Sequence, residues 1–101
     1  MARRVEWALR ARSDLRLAVS HIKRDSPDAA QAFGSAVIQA ARSLAEFSER
    51  GRLVPELADP AVRELLLARY RLVYELFPER VVILRVIHAS RDFESAWRDT
   101  P

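Results

Sequence analysis

The chain contains no cysteine, so it carries no disulfide framework, no thiolate metal site and no thiol nucleophile. That composition fits a reducing compartment. No stretch approaches the roughly 20 apolar residues a membrane span requires, and the opening from Met1 to Trp7 lacks the apolar centre of a signal peptide. A soluble, cytoplasmic protein that makes no membrane contact is expected. No glycine-rich phosphate loop is present, which argues against nucleotide binding. The two histidines, His21 and His88, lack ligand-like neighbours, so neither a metal nor another cofactor is expected. Lysine is almost missing too: of seventeen cationic side chains, only Lys23 is not arginine.

What the chain does have is hydrophobic substance. Half of its 101 residues are hydrophobic and only two are glycine, enough for a core without staples. One domain over residues 1–101 is expected. The formal charge of +3 rests on arginine, whose planar fork suits carboxylates and phosphates. The excess points weakly to an acidic partner.

Hydrophobic periodicity organises the chain, which has no internal repeat. Val5–Trp7 reads as an opening strand. Ala11, Leu15, Ala18, Val19 and Ile22 recur at helical spacing between about Leu9 and Lys23. Asp25-Ser26-Pro27-Asp28 is a break and a restart, with Ser26 as cap and Pro27 in the first turn. The second helix is expected to run to about Glu46, with Phe33, Val37, Ala40, Ala41, Leu44 and Phe47 on its apolar stripe. Ser48–Pro60 is a charged loop punctuated by Gly51, Pro55 and Pro60. Strands follow at Val62–Leu67, Tyr70–Phe77 and Arg80–His88, and Phe93–Trp97 reads as one helical turn. The expected fold is α+β: a strand, a helical hairpin and a three-stranded antiparallel meander, with the helices packed on one sheet face.

A tight hairpin around Pro78 and Glu79 places Leu76 opposite Val81, Tyr74 opposite Ile83 and Tyr70 opposite Ile87. Alternation then puts Leu65, Leu67, Tyr70, Leu72, Tyr74, Ile83 and Ile87 under the helices, with Arg85 on that side reaching an edge carboxylate. The other face collects Glu64, Leu66, Arg71, Val73, Glu75, Val82, Leu84, Val86 and His88. Arg71 and His88 would share an open surface there, about 7–8 Å apart, unless a one-residue slip in register separated them.

The pattern Tyr70-Arg71-Leu72-Val73-Tyr74, then Val81 to His88 with Arg91-Asp92, resembles the RelE/ParE superfamily of toxins of type II toxin–antitoxin systems. The opening Val5-Glu6-Trp7 with Ala11 and Asp14-Leu15, the loop Gly51-Arg52 with Pro55-Glu56-Leu57, and Val62 to Leu65 extend the likeness over nearly the whole chain. The resemblance implies a growth-inhibiting toxin, of the kind associated with plasmid stabilization. It also implies a hetero-oligomer with a cognate antitoxin that carries a DNA-binding domain and covers the toxin. On this reading the antitoxin packs on Val73, Val82, Leu84 and Val86, with Phe93 and Trp97 beside them.

Two mechanisms exist within that superfamily. RelE-like members cut messenger RNA on the ribosome. For that chemistry Glu56 is the candidate base, Arg71 the phosphate clamp and His88 the acid, with Arg50 and Arg52 steering RNA. ParE-like members poison DNA gyrase by binding and need no catalytic residues; Arg50, Arg52, Arg71, His88 and Arg91 are then the candidate binding surface. The scarcity of lysine, the Pro55-Glu56-Leu57 loop and the His88-x-x-Arg91-Asp92 ending favour the ParE-like branch. A non-toxic, antitoxin-binding co-repressor of the same fold is a third reading. The same residues also have plain structural roles: Arg71 can pair with Glu64 or Glu75, and His88 can be a satisfied strand-end histidine.

Overall fold

The computed structural model describes residues 2–99. Strand β1 (Arg4–Trp7) leads into helix α1 (Leu9–Lys23) and helix α2 (Pro27–Ser43). A two-residue strand β2 (Arg52–Leu53) precedes β3 (Val62–Leu67), β4 (Tyr70–Leu76) and β5 (Arg80–His88), and helix α3 (Phe93–Arg98) closes the chain. The sheet order is β1-β5-β4-β3-β2, with β1 parallel to β5 and the other pairs antiparallel. The α+β expectation holds, and β1 is an edge strand. The Ser48–Pro60 loop adds the fifth strand, too short to show in a hydrophobic pattern.

The helical hairpin begins where its caps dictate. The Ser26 hydroxyl accepts from the Ala29 N–H at 3.1 Å, and Pro27 starts α2, where its missing N–H costs nothing. The helix stops at Ser43, before the expected Glu46. The Ser43 and Ser48 hydroxyls donate to the carbonyls of Ala40 and Leu44, each at 2.6 Å, and the chain turns away. Phe47 therefore leaves the apolar stripe and stands 67% exposed.

Both faces of the sheet are covered. Under α1 and α2 lie Phe33, Val37, Leu44, Leu65, Leu72, Tyr74, Ile83 and Val86. On the other face Val54, Val62, Val73 and Ile87 pack against Phe93 and Ala96 of α3. The second cluster corrects the expected open face, because a helix of six residues is enough to bury Val73.

The predicted register holds from Leu76–Val81 to Tyr74–Ile83 and then shifts. Val73 pairs with Arg85, so Leu84 is an extra residue in β5, a β-bulge. Beyond it Leu72 faces Val86, Arg71 faces Ile87 and Tyr70 faces His88. Val86 thus moves under the helices and Ile87 to the α3 side, each opposite to expectation. The bulge lies just past the end of β1, where the Ala8 N–H makes its bond to the Ile83 carbonyl at 2.9 Å and the chain enters α1.

Tyr74 ties the core to the loop. Its buried hydroxyl donates to the Ser48 carbonyl at 2.8 Å and accepts from the Gly51 N–H at 3.0 Å. Burial pushes its ionisation up, so the donor proton stays in place. A Cβ on Gly51 would meet that hydroxyl at 2.5 Å and the Glu64 carbonyl oxygen at 2.7 Å. Gly34 differs: a Cβ there meets only Val19 Cγ2, at an ordinary 3.7 Å. Gly51→Ala should cost about 2 kcal/mol or more through overpacking. Gly34→Ala should gain about 0.5–1 kcal/mol from helix propensity. Urea denaturation of the two variants checks both signs, and equal effects would contradict the difference in packing.

Candidate functional site

The charged centre of the α3 face is built on alternate strand positions. Glu64 of β3 and Arg71 of β4 point to the same side, and the chain after β2 brings Glu56 over them. Arg71 Nε donates to Glu64 Oε1 at 2.6 Å, and Nη2 donates to Glu64 Oε2 at 3.3 Å. Nη1 and Nη2 donate to the two oxygens of Glu56 at 3.0 and 2.6 Å. Arg52 Nε adds a bond to Glu64 Oε2 at 2.8 Å. The Phe93 ring lies against the guanidinium, 4.3 Å from its centroid.

Two acids and two cations thus alternate around one buried fork, with the Glu64 side chain 0% exposed. The Arg71 bonds hold the Glu56 carboxyl below its ordinary range. In return Glu56, then Glu64, hold the Arg71 charge more firmly still. A phosphate clamp needs free donors facing solvent. The Arg71 donors are instead occupied by two carboxylates, the buried Glu64 and the more exposed Glu56 that lies over it.

Glu56 and Arg71 therefore do meet, but His88 does not join them. The bulge at Leu84 puts His88 opposite Tyr70 on the α1 side, with the two rings 4.9 Å apart and edge-on. The base–clamp–acid constellation is split by the sheet, and the shared Arg71–His88 surface is corrected. The remaining cations lie outside the core. Arg50 Nη1 donates to Ser43 Oγ at 2.7 Å, Arg52 is half-exposed, and Arg91 comes within 3.7 Å of Asp99.

The residues expected under an antitoxin also divide. Val73, Val86 and Phe93 are buried, so they are cores of this chain and offer no surface. Val82 is half-buried between Glu6 and Glu75. Leu84 and Trp97 do reach a surface: they line an open, largely apolar groove of about 490 Å³ with Ala8, Leu9, Arg10 and Arg85. Leu9 is 81% exposed there and had been missed as a surface residue. Its one signal was an apolar side chain off the stripe of its own helix.

Arg85 sits on the α3 side, not under the helices. It does reach the carboxylate expected of it: Nε donates to Asp14 Oδ2 at 2.8 Å, and Nη1 to the Ala96 carbonyl at 2.7 Å. Asp14 also accepts from the Val86 N–H at 2.9 Å, capping the β5 edge beyond β1. Among the described residues no group of three or more His, Asp or Glu is placed to hold a metal ion. None of the described helices is long and apolar enough to cross a membrane.

Comparison with known proteins adds the lineage. The family described as the ParE toxin of the type II toxin–antitoxin system, parDE, matches residues 5–93. Toxin RelE2 of Caulobacter vibrioides is 40% identical over 88 residues, covering 86% of this chain and 96% of its own. The chromosomal ParDE toxin–antitoxin system from P. aeruginosa superposes with a TM-score of 0.73 at 19% identity, over 88% of this chain and 98% of that one, a likeness of fold. The toxin–antitoxin complex RelBE2 from Mycobacterium tuberculosis gives a TM-score of 0.60 at 28% identity, covering 87% and 99%.

Because the Glu56 carboxyl is depressed by Arg71, its contribution is present above the ordinary carboxylate range and fades as pH falls through its folded value. Glu56→Gln should cost about 1 kcal/mol at pH 7. In urea denaturation the gap to the parent should hold near neutral pH and narrow as pH falls below the ordinary glutamate value of about 4.5. A gap that stays constant over that range would show that Glu56 gains nothing from its charge. Glu64→Gln should cost more, roughly 3 kcal/mol, since it leaves a buried guanidinium short of a partner.

Proposed function

This chain belongs to the family of ParE toxins of type II toxin–antitoxin systems, and from that premise we propose that it arrests growth by binding and poisoning DNA gyrase in the cytoplasm. A cognate antitoxin neutralises it. One observation carries the choice: the group best suited to clamp a scissile phosphate, Arg71, is occupied by Glu56 and Glu64, and His88 lies across the sheet from it. RNA cleavage by 2′-hydroxyl attack needs base, clamp and acid around one phosphate. A protein that acts by binding needs only an outward-facing surface. The cations we assign to such a surface are Arg50, Arg52 and Arg91, each of them exposed, and an antitoxin that covered or distorted them would neutralise the toxin.

The RelE2 name of the 40% identical relative makes ribosome-dependent cleavage of messenger RNA the second reading. A supercoiling and DNA-cleavage assay on purified gyrase separates the two. Cleaved DNA should accumulate with the freshly released toxin and disappear when the antitoxin is added. His88→Ala should change that effect by no more than severalfold, whereas a nuclease that used His88 would lose roughly 10²–10⁴-fold in cleavage. Untouched gyrase with growth arrest in cells would move the target to the ribosome. Untouched gyrase without growth arrest would leave a non-toxic, antitoxin-binding co-repressor.

A further inference from the structure

Between α1 and the end of β5 lies a small cleft of about 190 Å³, lined by Asp14, Leu17, His21, Tyr70, His88 and Arg91 among others. It brings both histidines of the chain to one place, although 67 positions separate them in sequence (88 − 21). Its one acid is already occupied. The Asp14 carboxylate accepts Arg85 Nε at 2.8 Å, Arg85 Nη2 at 3.3 Å and the Val86 N–H at 2.9 Å.

Among the described residues the basic groups are less firmly held: Arg91 makes one ion pair, with Asp99 at 3.7 Å, and both side chains are at least half exposed, which makes a weak pair. The His88 ring is held in place by Tyr70 and by Ser90, whose N–H reaches Nδ1 at 3.0 Å and whose Oγ lies 2.7 Å from it. A backbone N–H can only donate, so Nδ1 presents its lone pair and the proton of the neutral ring is on Nε2. Nε2 is thus the ring nitrogen left to donate. On the rim, Leu17 is 68% exposed, an apolar side chain beside the donors.

We propose that this cleft receives an acidic side chain and an adjoining apolar one from the antitoxin, the carboxylate bonding to His88 and Arg91 and the apolar residue covering Leu17. The inference rests on the toxin–antitoxin reading and adds to it the place and chemistry of one contact. A space of about 190 Å³ suits a single side chain rather than a base with its phosphate. The donors complement an acid, and the apolar rim gives a protein segment, not a nucleic-acid backbone, something to pack on.

The test titrates purified, fluorescently labelled cognate antitoxin with the full chain, with His88→Gln plus Arg91→Gln, and with Arg42→Gln, an exposed cation on α2, as control. The double variant should weaken binding roughly tenfold or more, the value of a charged hydrogen bond, and the loss should shrink at high salt. Arg42→Gln should bind like the parent. Circular dichroism checks folding, and the single Arg91→Gln, at an exposed position, gives the same reading if the double variant misfolds. Unchanged affinity in a folded variant overturns the proposal and leaves the toxin–antitoxin reading intact. A parent chain that does not bind the antitoxin overturns that reading itself. If the variant loses affinity for a labelled RNA oligomer but not for the antitoxin, the cleft is a nucleic-acid site and the proposal also fails.

Discussion

An extra residue in β5, Leu84, is accommodated as a bulge at the point where β1 ends, and most of the site geometry follows from it. Each residue beyond the bulge is moved to the face opposite the one simple alternation gives. Val86 joins the core under α1 and α2, Ile87 joins Val73 and Phe93 beneath α3, and His88 turns to Tyr70. The free β5 edge past β1 would expose a row of unpaired backbone groups. Asp14 of α1 satisfies one of them, the Val86 N–H, and the same carboxylate anchors Arg85, which in turn reaches the α3 backbone. One irregularity thus links the helices to β5.

The buried network on Arg71 is the second organising feature. A pair of carboxylates around one guanidinium is costly to desolvate and is worth little against an apolar replacement, but breaking it leaves a buried charge alone. It therefore fixes an arrangement. Glu56 holds the loop after β2 onto the sheet, Glu64 receives both Arg52 and Arg71, and Phe93 closes the top. The residues that would suggest nuclease chemistry in a linear reading are largely the residues that hold this loop and helix in place. That is the physical basis for favouring inhibition by binding.

With the sheet covered on both faces, the surfaces left for partners lie at its margins. The apolar groove at Leu9, Leu84 and Trp97 borders the bulge, and the basic cleft at His88 and Arg91 lies at the end of the same strand. Both exist because β1 stops early and β5 continues without it. One is apolar and the other rich in donors.

The α+β class, the order of elements, the helical hairpin with its Ser26 cap and the identity of most core residues were legible in the sequence, because they depend on periodicity and on local capping chemistry. So was a pairing of Arg71 with Glu64, offered beside Glu75; that Glu56 takes the place of Glu75 was not. The two-residue β2 and the early stop of α2 gave too short a signal to read. Nothing in the run Val81 to His88 marks Leu84 as the bulged residue, since every position there is apolar or amphipathic and fits either face. Only the tertiary structure decided that Arg71 and His88 face opposite ways, that Val73 and Val86 are core, and that His21 and His88 line one cleft. Sequence periodicity sets which side chains can alternate. Where a strand breaks that alternation depends on the end of its neighbour and the helices packed against it, and those constraints come from residues far away in the chain.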